Sequence, residues 1–183
     1  MDSKINQNFS ARIGLLFLSI FMTQIVSSQN NEKAIKAIRK EFKAINSIAN
    51  YEIIELENDE VSESFPDHGI SLKGYFDDGN LRKIMLWVGY NHKRTISEYY
   101  LKDSKLFFMY EVEELYYYDV IEDQMNYDSI AHKNERRYYI AEDRLIETKF
   151  KGEIPEKNET AETLMTVAKN YTEKLVAARK TKR

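Results

Sequence analysis

The side chains of this 183-residue chain with the means to do chemistry are three histidines, many scattered carboxylates and a single tryptophan. His68 stands in the loop-like run Phe65-Pro66-Asp67-His68-Gly69, His92 in a turn after Tyr90, and His132 in an acid-rich stretch. No two of them have the i, i+4 spacing of a helical zinc site, and no HExxH occurs. His68 beside Asp67 reads as a solvated loop histidine. Glu111, Glu113 and Glu114, followed by Asp119, Glu122, Asp123 and Asp128, lack the alternating ladder, central Gly and terminal Glu of a calcium loop. They read as a solvated acidic surface, although a glycosidase pair drawn from distant strands stays open.

Other reaction classes lose their means. There is no cysteine, hence no thiolate nucleophile, thiolate metal site or disulfide. Neither GxSxG nor a phosphate-cradling GxGxxG or GxxxxGK[ST] is present. No catalytic residue, metal ligand or cofactor is assigned. The formal charge is -3, and Lys93, Arg94, Arg136 and Arg137 make only a small basic spot, too little for nucleic acid.

The aromatics offer more. Alternation along Leu81 to Tyr90 puts Ile84, Leu86 and Val88 on one side, Met85 and Trp87 on the other; Leu106 to Glu114 is apolar on both sides too. A sheet of that kind must cover both faces. It curls on itself, or helices and loops cover it, or one face is an aromatic groove for a ligand. Trp87, Tyr99 and Tyr110 are the groove candidates.

These side chains need a frame. Ile35, Ile38, Phe42, Ile45 and Ala49 recur at helical spacing within Asn31 to Asn50, and Ala161, Leu164, Ala168, Tyr171, Leu175 and Ala178 do so after a cap at Asn158. Between the two helices, strands are expected at Tyr51 to Glu57, Ile70 to Phe76, Leu81 to Tyr90, Thr95 to Leu101, Leu106 to Tyr118, Glu135 to Ile140 and Leu145 to Lys151. Asn58 to Gly69 and Asp119 to Lys133 read as longer loops. The segments Tyr75 to Leu81, Tyr100 to Leu106 and Tyr139 to Leu145 share one plan: two aromatic or apolar residues, a turn built on an acid, then Leu. They read as three hairpins on one template, in a meander. Helix, strands, helix is an α+β order, with both helices expected on one face of the antiparallel sheet.

The N-terminus reads as a secretory signal peptide over residues 1–28, with Lys4 and Arg12 ahead of the apolar block Ile13 to Val26 and a cut after Ser28. That block is shorter than the roughly 20 residues a membrane span needs. Removing it leaves a single domain, 29–183, of charge -4. An end in SSQ, a Lys, Glu, Asn and Ile-rich composition and the tyrosine hairpins resemble small exported proteins of Bacteroidota. That resemblance implies a periplasmic or secreted address, here without a lipid-anchor cysteine, and carries no known activity with it.

The reading is therefore an exported, non-catalytic binding or interaction module. It would use an aromatic sheet face, or its acidic loop, against an unidentified protein or small molecule of the cell envelope, with no membrane span after cleavage. Two alternatives stand beside it: a small hydrolase or inhibitor-like domain with a site assembled from distant residues, and a homodimer that buries the aromatic face.

Overall fold

The computed structural model describes residues 30–153 and 159–182. The expected signal peptide and the cap at Asn158 lie outside them. The chain divides into two units at Arg39 and Lys40. Of the first, only the helical residues 30–39 are described; the second, Lys40–Arg183, holds the sheet.

Helix α1 covers residues 30–46 and ends before Asn50 in a tightened turn, Ile48 N–H reaching Ile45 O at 3.3 Å, while the Asn46 and Ser47 side chains donate to the carbonyls of Phe42 and Lys43 at 3.0 and 2.8 Å. Among the described residues seven strands follow: β1 (Glu52–Glu57), β2 (Ile70–Asp77), β3 (Asn80–Gly89), β4 (Lys93–Lys102), β5 (Lys105–Asp119), β6 (Gln124–Ala141) and β7 (Arg144–Lys151). They pair antiparallel in chain order, a pure meander. Helix α2 (Ala161–Thr181) closes the fold, capped by the Thr160 side chain, which accepts from Thr163 N–H at 3.1 Å.

The three template hairpins are β2–β3, β4–β5 and β6–β7. Each turns through two residues of positive φ: Asp78 and Gly79, Asp103 and Ser104, Glu142 and Asp143. Positive φ at both central positions matches the right-handed twist of the flanking strands. The likeness extends to a bulge in each. Phe76 pairs Leu81, Leu101 pairs Leu106 and Ile140 pairs Leu145, leaving Arg82, Phe107 and Ile146 as the extra residue.

The part of α1 from Lys40 onward and α2 lie on opposite faces of the sheet, which corrects the expectation that the helices share one. Leu164, Ala168 and Leu175 of α2 join the main core with Ile54, Leu72, Ile84, Tyr99, Met109 and Tyr138. Gly74 makes room for this contact, since a Cβ there would come within 2.9 Å of Leu175. Phe42 of α1 instead meets Tyr100 and Phe108 at 4.8 and 5.3 Å, on the other face. A sheet apolar on both sides needs cover on both, and each helix has only one apolar stripe to give.

Asp119 to Lys133 is not a loop. β5 and β6 run on past the ends of their outer neighbours and form a two-stranded arm, turning at Val120 to Asp123. Within it Tyr116 pairs Ile130 while Tyr117 pairs Asn126, so Tyr127 to Ser129 bulge out of β6.

Candidate functional site

At the end of the sheet away from the template turns, on the α1 face, β1, β2 and β3 present Glu55 and Glu57, Ser71 and Lys73, and Met85 and Trp87. With Asn58, His68, Gly69 and Ile70 from the β1–β2 connection they line a cleft of about 430 Å³. That is within the range of small-ligand sites.

Local structure places each wall. Gly69 N–H donates to Pro66 O at 2.8 Å and Gly89 N–H to Gly69 O at 3.0 Å, which extends the β2–β3 ladder and carries His68 up to β3. Asn91 donates to Asp67 at 2.9 Å, so Asp67 serves the loop rather than its neighbour His68. Gly89 is required by close approach: a Cβ there would lie 2.5 Å from the Trp87 ring and 2.7 Å from His68 Cβ. The absent side chain lets indole and histidine pack over one stretch of backbone. Across the cleft, Lys73 and Glu55 pair at 2.7 Å, and Ser71 donates to the same carboxylate at 3.1 Å. The bond from Lys73 holds the Glu55 carboxyl below its ordinary range, and Glu55 in turn raises Lys73, so the pair is charged at neutral pH.

The arm stands beside this cleft. Tyr127 contacts the His68 ring at 5.0 Å, and Tyr116 meets Tyr127 edge-on at 5.1 Å. Among the described residues, six of the eight exposed large hydrophobic side chains are on the arm: Tyr117, Tyr118, Val120, Ile121, Tyr127 and Ile130. Ile121, at the tip, is 93% exposed.

The three aromatic candidates do not share a face. Trp87 lines the cleft, half-buried. Tyr110 is on the same face farther across the sheet, its ring covered by the Arg137 guanidinium at 5.0 Å and its hydroxyl pushed up by burial and then by Glu135. Tyr99 is on the α2 face, 4% exposed and edge-on to Tyr171 at 5.9 Å; burial raises its hydroxyl far above the ordinary range. The histidines also disperse: His92 lies by Tyr90, and His132 pairs with Glu153 at 3.0 Å.

Of the seven carboxylates expected on a solvated surface, Glu111 and Glu113 are buried and Glu114 is half-buried, because β4, β5 and β6 lie side by side and set these acids against the basic spot, while Glu122, Asp123 and Asp128 are exposed on the arm. On the α2 face Glu111 pairs with Arg136 at 2.8 Å and accepts from Ser97 at 3.3 Å, while Glu113 pairs with Lys93 at 2.6 Å and accepts from Asn134 at 3.4 Å. Glu111, Glu113, Asn134 and Arg136 are all buried, and Phe150 lies over the guanidinium at 5.5 Å. On the α1 face Arg94 and Lys133 bracket Glu114 at 2.7 and 3.4 Å. The alternation Lys93-Arg94 against Glu113-Glu114 could have suggested cross-strand pairing, had the hairpin register been assumed. No family model, curated protein or solved structure matches the chain.

Proposed function

We propose that the protein is an exported, non-catalytic binding module whose ligand site is the Trp87 cleft. The observation that carries this is the cleft itself: a half-buried indole beside a charged Glu55–Lys73 pair, where the Glu111–Arg136 pair of the central strands is turned inward upon itself. A few polar groups converging on an aromatic floor suit recognition. Export rests on the residues of the N-terminal segment and is checked by the intact mass of the protein recovered from the cell envelope; a retained segment counts against it. The binding reading is tested by a thermal-shift screen of the wild type beside Trp87→Ala. Ligands that stabilise only the wild type support it. A screen in which every stabilising compound acts equally on both proteins sinks it.

The exposed arm favours a second reading, docking on a partner. Tyr117 to Ile130 carries Asp119, Glu122, Asp123 and Asp128 and no Lys or Arg. Two arms set against each other would repel, so a homodimer joined arm to arm is disfavoured. Light scattering over a concentration series checks this: arm-mediated self-association that Ile121→Asp abolishes would overturn it.

A further inference from the structure

Resting on the cleft as a ligand site, we propose that its ligand is a neutral carbohydrate ring stacked on Trp87. The charges narrow the choice. Glu55 and Lys73 neutralise each other at 2.7 Å, and Glu57 on the same strand face adds a negative charge. The net charge of this lining is negative, which disfavours an anion, and a cation drawn to Glu57 must still sit beside the Lys73 ammonium. A neutral ligand with hydroxyl groups meets no such conflict, because a hydroxyl both donates and accepts.

The lining offers both senses at short range. Carboxylate oxygens of Glu55 and Glu57 accept, the Lys73 ammonium donates, and Ser71, whose proton goes to Glu55 at 3.1 Å, accepts; Asn58 Oδ1 is held by Ile70 N–H at 3.2 Å, which leaves its amide nitrogen as a further donor group in the lining. Sugar rings have a polar rim and a weakly apolar C–H face. An indole takes that face, and Met85 extends the apolar floor along β3. A purely apolar ligand would leave this rim of charges desolvated without partners, at a cost. The cleft's volume of about 430 Å³ leaves room for a ring with a substituent.

The sole tryptophan makes the test direct, since all indole emission reports on the cleft. The full chain is titrated with cellobiose, maltose and N,N′-diacetylchitobiose as neutral probes, glucuronate as the anion and choline as the cation. Trp87 emission is followed, with calorimetry in parallel. The expected result is a saturable response to at least one neutral disaccharide at millimolar concentration, weaker or absent for glucuronate and choline. Glu55→Gln and Lys73→Met each weaken it about ten-fold, the loss of a hydrogen bond to a charged group. Both residues are part-exposed, and an unchanged free-protein melting point shows that the loss is local. A response to choline or glucuronate without one to the disaccharides overturns the carbohydrate assignment but leaves the cleft a ligand site. Silence toward all neutral probes in both methods also overturns the assignment. Only the failure of the Trp87→Ala screen takes the binding reading down with it.

Discussion

The two faces of the sheet use the same residue types at the same end and reach opposite results. On the α2 face, Glu111, Glu113, Lys93, Asn134 and Arg136 lie across three central strands, and each buried carboxylate meets a cation, the Arg136 guanidinium buried and the Lys93 ammonium part-exposed. On the α1 face, Glu55, Glu57 and Lys73 lie on the edge pair β1–β2, beside an indole that is not fully covered. The difference teaches that position in the sheet, not composition, separates structural charge from available charge. A central strand has a neighbour on each side to supply a counter-ion. An edge strand has one, and leaves capacity for a ligand.

Substitutions can break this contrast, and the largest effect belongs to the buried side. Arg136→Met strands Glu111 in the interior and should cost about 3–5 kcal/mol in urea unfolding, whereas the double change Glu111→Leu with Arg136→Met should recover most of that loss. A double variant no better than the single would mean the network does more than neutralise itself.

Next comes Gly89→Ala, which drives a Cβ to 2.5 Å from the Trp87 ring. Overpacking of this kind costs about 1–3 kcal/mol. Here it should also displace the indole and shift its emission. Loss of stability with emission unchanged would show that the clash is relieved through His68 instead.

Acid should act mainly through the paired carboxylates of the central strands. Burial pushes the Glu113 and Glu114 carboxyls up, but the bonds from Lys93 and from Arg94 more than offset this, and both end below the ordinary 4.5. A folded pKa below the unfolded one gives stability that is complete above about pH 4.5 and is lost as pH falls through the lower folded value. The melting temperature should therefore decline below pH 4.5, and less steeply in the Glu113→Gln, Glu114→Gln double variant, provided that variant folds at neutral pH. An equal slope in both would assign acid sensitivity elsewhere.

The smallest effect on stability is expected in the cleft. Glu55→Gln removes an ion pair whose side chains are 38% and 31% exposed, and exposed pairs contribute less than about 1 kcal/mol. A melting point within a degree or two of the wild type, measured by calorimetry, would sharpen the contrast; a large drop would make the pair structural after all.

Much of the frame was legible because it is local. Strand alternation marks all seven strands to within a few residues at most ends, and an acid followed by Gly, Ser or Asp marks three turns whose φ values are positive. Trp87 was legible as the odd-face aromatic of β3. Its companions were not: Tyr99 and Tyr110 follow the same alternation, yet one lies under α2 and the other under Arg137. The start of β6 was missed because Asn126 to Ser129 is polar turn chemistry, though it is a bulge within an arm.

By itself, then, the sequence determined the order of elements, the meander and its three matched hairpins, since period-two alternation and turn residues act over a few neighbours. Only the tertiary structure decided which face each helix covers, that Arg136 meets Glu111, and that His68 and Trp87 close one cleft. Those outcomes join residues 19 to 25 positions apart or more, and nothing in a local pattern records which side of a sheet a distant segment will choose.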